Sequence, residues 1–436
     1  MRKNKLQLIM MLLVYTLFLS CNSKSGNEKE IVVYKSDYQK YIQIKENEEI
    51  ENINKELHFW QEKYNLAPNQ YPYLIELSGL YSQLFEMTGN IRNLYQAEEL
   101  LLDCNARVNG DHSGIHRSIA KNYISQHRFR EALTHLEKAY AVGENKKATQ
   151  KMLFDVNMEL GNYEAAEKIL DENKNFNDFD YLIRLAKWND YVGDLDNAIR
   201  LMEKAMKIAE KSGNQGLKVW IYSNIADFYG HNGRIRDAYQ YYLKTLKADN
   251  NNIYALKGIA WIAYSHEHDI EKASEIINYI ETQHTVPDLY LLKADMSEFS
   301  DNFTKKKLAL NEYFYTLDKN YYGDMYNKYN VLLYAETPGK ELKALKIAKR
   351  EIDNRPTPES YDLLAWTYYN MGEFKKAYEI ATEYTINKTH EPLVLYHNEL
   401  ILKANNKLTS ENSNISDLVT SIFELGPNIE KKLKTL

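Results

Sequence analysis

Between Tyr361 and Ala381 small, aromatic and polar positions alternate in a fixed order. Ala365 is followed by Tyr368 at three residues, Gly372 at seven, Phe374 at nine, Ala377 at twelve and Ala381 at sixteen. Charged and amide side chains fill the positions between. Apolar residues three and four apart share one face of an α-helix. The pattern therefore predicts two amphipathic helices broken at Gly372, where a left-handed backbone costs a glycine least. Ala365 and Ala377 are small because a bulky side chain would hold the two crossing helices apart. The aromatics fill the gap to the neighbouring pair.

The same frame recurs. Ala120, Tyr123, Phe129, Ala132 and Ala139 fit it, as do Phe154, Gly161, Tyr163 and Ala166. Ala186, Gly193, Leu195, Ala198 and Ala205 form another set, and Ala226, Tyr229, Gly233, Ile235 and Ala238 a further one. Weaker copies centre on Trp261 with Tyr264, Ile270 and Ala273, on Ala294 with Phe303, and on Leu332 with Gly339, Ala344 and Ala348. From Ala120 to Ala365 the first small-residue position steps by 34, 32, 40, 35, 33, 38 and 33 residues. An earlier copy lies between Leu77 and Cys104, and Leu393 to Lys403 keeps the period.

In spacing and period the pattern resembles the tetratricopeptide repeat. The resemblance implies an all-α fold, a right-handed superhelical solenoid of helix-turn-helix repeats. About nine repeats would span residues 70–405, after an N-terminal helical cap at 36–69 and before a C-terminal capping helix and tail at 406–436. No single pair buries its apolar face alone, so the pairs must stack into one continuous core.

The chain opens differently. Arg2, Lys3 and Lys5 precede an apolar run from Leu6 to Leu19, too short to span a bilayer but suited to a signal peptide. The run ends in Phe18-Leu19-Ser20-Cys21, which resembles a bacterial lipobox although Phe18 stands where an aliphatic residue is usual. The resemblance implies cleavage after residue 20 and lipidation of Cys21; an ordinary signal peptide with an incidental cysteine is the plainer alternative. Several buried acyl chains, at about 0.8 kcal/mol per CH₂, would hold the protein on a membrane almost permanently. Asn22, by resemblance to lipoproteins of two-membrane bacteria, favours the outer membrane. Residues 21–35 then read as the lipidated cysteine and a flexible tether. The Asn-, Lys- and Tyr-rich composition resembles Bacteroidetes proteins.

Charge and composition exclude more than they assign. The 55 Lys+Arg against 61 Asp+Glu leave a net charge of −6, becoming −9 once the leader's three basic residues are gone. That argues against a nucleic-acid partner, which needs a basic footprint. Two cysteines build neither a disulfide scaffold nor a four-thiolate zinc site. No phosphate-binding loop, nucleophile elbow or metalloprotease helix is present, so neither enzyme activity, cofactor nor metal is expected. His266-Glu267-His268 falls at an inter-helix turn and reads as polar turn residues. His112 and His116 lack a third ligand. Asp178, Asp180, Asp194 and Asp196 fall at helix starts and read as caps. Cys104 occupies a packed small-residue position. Many of the 36 tyrosines fall on packing positions, which accounts for much of their excess.

The family's concave groove is lined by positions six and three before the small marker and one and four after it. Carried onto this chain, the frame gives Arg117 and Lys121, Lys187 and Asp190, Asp227, and Asp362, Trp366 and Tyr369 as a partner-binding groove. Trp366 and Tyr369 would be its anchors, since Trp and Tyr dominate interface hot spots. The Lys and Asn pairs that grip a terminal carboxylate in some relatives are missing. The expected function is non-enzymatic: a membrane-anchored docking or assembly factor of the cell envelope that holds an envelope protein or peptide in the groove. The alternative is a glycan-binding outer-membrane lipoprotein partnering a sugar transporter, against which stands the lack of a long insertion.

Overall fold

A computed structural model describes residues 30–43 and 47–435. Cys21 and the leader lie outside the described residues. A one-turn helix α1 (Lys35–Tyr38) and a 3-10 turn (Tyr41–Gln43) precede α2 (Glu48–Leu66). Nine helix pairs follow among the described residues. They are α3 (Pro72–Thr88) with α4 (Ile91–Arg107), α5 (Ser113–Ser125) with α6 (Phe129–Val142), and α7 (Lys146–Glu159) with α8 (Tyr163–Glu172). Next come α9 (Phe179–Tyr191) with α10 (Leu195–Ser212), α11 (Gln215–His231) with α12 (Ile235–Ala248), and α13 (Ile253–Trp261) with α14 (Ile270–Gln283). The last are α15 (Asp288–Phe299) with α16 (Phe303–Asn320), α17 (Asn327–Ala335) with α18 (Glu341–Asn354), and α19 (Pro358–Asn370) with α20 (Phe374–Tyr384). The chain ends in α21 (Pro392–Ala404), α22 (Ile415–Thr420) and α23 (Ile422–Leu433).

The pairs form because their small positions sink completely. Ala120, Ala186, Ala226 and Ala365 are fully buried in first helices, and Ala132, Ala198, Ala238 and Ala377 in second helices. Phe154 takes the same place in α7 and is equally buried. Polar caps set the starts: Asp178 Oδ1 accepts from the Tyr181 amide at 2.9 Å and Asp194 Oδ1 from the Asn197 amide at 3.1 Å. The largest apolar cluster runs from Leu182 to Met296 without interruption.

First helices pack on the next first helix, α5 on α7, α7 on α9, α11 on α13, α17 on α19 and α19 on α21. Second helices pack chiefly on the first helix of their own pair and of the next. The layer whose members touch one another is the inner layer of a curved stack, so first helices line the concave side. The result is an all-α superhelical solenoid of helix-turn-helix repeats.

The superhelix closes on itself. Thr285 donates its amide to Thr88 O at 3.0 Å, and His284 Nδ1 meets Met87 O, 197 residues away, at 3.0 Å. Arg355 donates Nη2 to Glu159 Oε2 at 2.8 Å, across 196 residues. Gly161 and Gly193, each at the turn within a pair, abut Pro356 and His390; a Cβ on Gly161 would stand 3.0 Å from Pro356 O. Successive turns therefore stack after about six repeats of the ~34-residue period.

Both ends differ from expectation. Val32–Leu436 makes one compact unit; of the residues before it only Glu30 and Ile31 are described, both exposed. The sequence predicts a tether through residue 35, yet the chain docks from Val32 onward. Val32 and Val33 donate their amides to Glu267 Oε1 at 2.5 and 2.6 Å, and Lys272 Nζ donates to Val33 O at 3.0 Å. Val33 and Tyr38 are buried against the second helices α12 and α14. Of the expected 36–69 cap only α2 covers the first pair. Nor does the C-terminal segment cap the stack: α23 folds back onto α11, α15 and the π-helical turn Ile262–His266 that ends α13.

Candidate functional site

The concave face divides into three regions. In the first, Lys121 and Lys187 line one cavity of about 530 Å³ with His127, Asp155, Glu159 and Arg355. Lys187 donates to Glu159 at 2.9 Å and Lys121 to Glu86 at 3.3 Å. Burial opposes ionisation of Glu159, but the Lys187 and Arg355 cations outweigh it and hold its pKa below the usual carboxylate range. Burial, aided by Arg355, pushes the His127 pKa down. Arg117 is committed elsewhere: its guanidinium donates to Glu144 O at 2.9 Å and Thr149 Oγ1 at 3.2 Å, tying α5 to the start of α7.

In the second region Asp190 borders a cavity of about 440 Å³ with His231, Glu359, His390, Glu391 and Glu424. Burial raises the pKa of Asp190 despite His231, and burial likewise raises Glu391. Asp227 accepts from Tyr254 Oη at 2.6 Å and from Tyr242 Oη, and burial raises its pKa against those two bonds.

The third region corrects the expected anchors. Asp362 and Trp366 are 2% and 6% exposed. The Trp366 indole lies parallel to Tyr369 at 4.9 Å and to His397 at 3.9 Å, and His397 Nδ1 meets Asp362 Oδ2 at 2.8 Å. Packing of α21 on α19 explains the difference, because the next first helix covers the face that a groove frame assigns to solvent. Asp362 Oδ1 and Trp366 Nε1 are left in this core without a partner. The structure thus brings Lys121 and Lys187 together, places Asp190 and Asp227 apart from them, and puts Asp362, Trp366 and the partly buried Tyr369 in packing.

Other candidates are absorbed structurally. His116 pairs with His135, and His112 stacks on Tyr71 and faces Glu144. Cys104 is fully buried with its Sγ 3.8 Å from Tyr71 O, and burial pushes its thiol pKa up. Glu267 holds the N-terminal segment, and His268 meets Glu430 at 3.1 Å. Among the described residues no three His, Cys, Asp or Glu side chains converge as a metal site would require.

The groove frame missed Trp261, which the sequence sets at the small-residue position. In the structure the neighbouring Ala260 is the residue fully buried there, while Trp261, just before the π turn, is left partly exposed and donates Nε1 to Phe423 O at 3.0 Å. A tryptophan breaking the repeat's own size rule was the available signal, and π turns recur at functional positions.

No protein-family model matches this chain, and a search of curated proteins returns no match. Among solved structures, a human IFIT1 dimer with PPP-AAAA is similar at 15% identity over 72% of this chain and 71% of its own, with a TM-score of 0.46. Yeast Tom70 is similar at 14% identity over 92% and 93%, with a TM-score of 0.35. A signal-transduction ATPase with a tetratricopeptide repeat sensor from Pyrococcus horikoshii is similar at 20% identity over 78% of this chain and 54% of its own, with a TM-score of 0.38.

Proposed function

We propose that this chain is a non-enzymatic docking protein of the tetratricopeptide type, anchored through a lipidated Cys21 in a bacterial cell envelope, whose concave face receives a helical segment of another envelope protein. One observation carries the reading: the concave face holds a helix, its own α23, through side chains of first helices. Trp261, Ser265 and Asp295 all contribute hydrogen bonds to it. Elsewhere the face offers paired charges, Lys187 with Glu159 and Lys121 with Glu86, suited to a polar partner rim.

Crosslinking the tagged, full-length chain in its native envelope, followed by pull-down, tests this. The control carries Lys121→Glu and Lys187→Glu. A protein captured by the native form and lost from the control is the expected result. Capture of no protein, or of the same protein by both, overturns the groove assignment. Metabolic labelling with a clickable fatty acid, lost in Cys21→Ser, tests the anchor separately.

A further inference from the structure

The docking of α23 has a chemical cause in its sequence. Residues 423–428 read Phe-Glu-Leu-Gly-Pro-Asn. In an α-helix the Phe423 carbonyl would accept from the amide four residues on, but that residue is Pro427 and has no N–H. The helix kinks there, with Gly426 at φ 81° and ψ 168°. The freed carbonyl finds two donors on the concave face, Trp261 Nε1 at 3.0 Å and Ser265 Oγ at 2.6 Å. Ser265 is 1% exposed. One turn on, Asn428 Nδ2 donates to Asp295 Oδ1 at 2.8 Å and to Asp295 O at 2.9 Å. The Phe423 ring lies on Gly230, where a Cβ would stand 2.6 Å from it, and Trp261 covers Gly426.

These contacts make a pocket that reads a kinked helix by its proline-freed carbonyl, an aromatic side chain and an amide. Its tenant is held by polar contacts more than by apolar burial: Lys431 Nζ also donates to Phe299 O at 2.7 Å, and Glu430 meets His268 at 3.1 Å. Of α22 and α23 only Leu418, Gly426, Pro427 and Glu430 are buried. Phe423 alone among their residues packs against an apolar core cluster, from its edge. The connection from Asn405 to Asn414 is polar and largely exposed, and its end is tied to α21 through Glu399, which accepts from Ser413 Oγ at 2.7 Å and from the Asn414 amide at 2.9 Å.

We propose that Gly230, Trp261, Ser265 and Asp295 form a recognition site for a kinked helix of the type aromatic-x-x-Gly-Pro-Asn, and that the chain's own C-terminal segment is a detachable occupant which a partner protein's helix of that chemistry replaces. This rests on the protein-docking reading and names the partner's chemistry and its competitor.

The test uses the full chain and a fluorescent synthetic peptide of residues 414–436. Phe423→Ala with Asn428→Ala weakens the resident segment and leaves the pocket intact. The peptide is expected to bind this variant at least about tenfold more tightly than the wild type, one decade being ~1.4 kcal/mol. Gly230→Ala acts from the other side: it favours the helix α11 yet collides with Phe423. It should raise amide exchange across 415–433 about tenfold, leave α11 protected, and abolish peptide binding. Equal peptide affinity for wild type and double variant, no binding to either, or unchanged exchange of 415–433 in Gly230→Ala overturns the proposal. Failure of the docking reading is separate: peptide exchange would then succeed while envelope crosslinking captures no protein.

Discussion

Lowering the pH from about 7.5 to about 5 should loosen the second helix pair, and the size of the effect follows from two rings. His116 in α5 and His135 in α6 meet Nδ1 to Nδ1 at 2.9 Å, while His116 Nε2 lies 3.0 Å from Gly110 O. A carbonyl only accepts, so His116 carries its proton on Nε2 and must accept at Nδ1 from His135 Nδ1–H. Protonation of both rings would set two N–H groups against each other. Burial lowers both pKa values, that of His135 to about 4 from 6.5 with further help from His116, Lys138 and Arg128. A base whose folded pKa lies below its unfolded value binds fewer protons folded than unfolded between the two. Its stabilising contribution is therefore complete above about pH 6.5 and declines as the pH falls toward 4. The full depression amounts to roughly 3 kcal/mol, of which the step to pH 5 realises about 2, cut to about 1 by the ring's partial exposure. Amide exchange of α5 and α6 at the two pH values measures it locally, since a solenoid opens in pieces. His116→Phe with His135→Leu should flatten the pH dependence. Equal dependence in wild type and double variant, or ring-proton titrations centred near 6.5, would refute the tautomer argument.

Other outcomes follow from packing. Phe154→Ala empties a fully buried site between α7, α8 and α9 and should cost about 3–5 kcal/mol by urea unfolding; a loss under ~1 kcal/mol would mean the pairs collapse around it. Gly161→Ala and Gly372→Ala share a positive φ, but only Gly161 abuts a later turn, at Pro356. Both should lose about 1 kcal/mol to backbone strain, and only Gly161→Ala should also expand the radius of gyration in small-angle scattering. Glu267→Gln removes the charge that holds Val32, Val33 and Lys272 and should speed exchange of those two amides at least about tenfold; unchanged exchange would place the clasp's strength in the apolar contacts.

Much of the fold was legible because the repeat writes its crossing points in small residues. Ala120, Ala186, Ala226 and Ala365 lie where a local frame puts them, and each is fully buried. Contacts 196 or 197 residues apart leave no such trace, because they join turns to loops where any polar residue suffices. The groove frame failed at Trp366 for a related reason. Facing the concave side and facing the next first helix are the same direction in one repeat, and only neighbour spacing separates them. Val32-Val33 and Phe423-x-x-Gly-Pro-Asn were visible as short apolar or turn-like strings, but nothing local says that they return to the middle of the stack.

The clasp on Val32 and Val33 also decides where force enters. A pull on the chain upstream reaches Glu267 and Lys272, at the turn of the sixth helix pair, before it reaches α2 or α3. Tension would peel a short segment off the outer wall of the solenoid, breaking almost together the two hydrogen bonds that the Val32 and Val33 amides donate to one carboxylate oxygen. While the clasp holds, the first pairs stay outside the loaded path, and any such pull is borne at the waist of the stack.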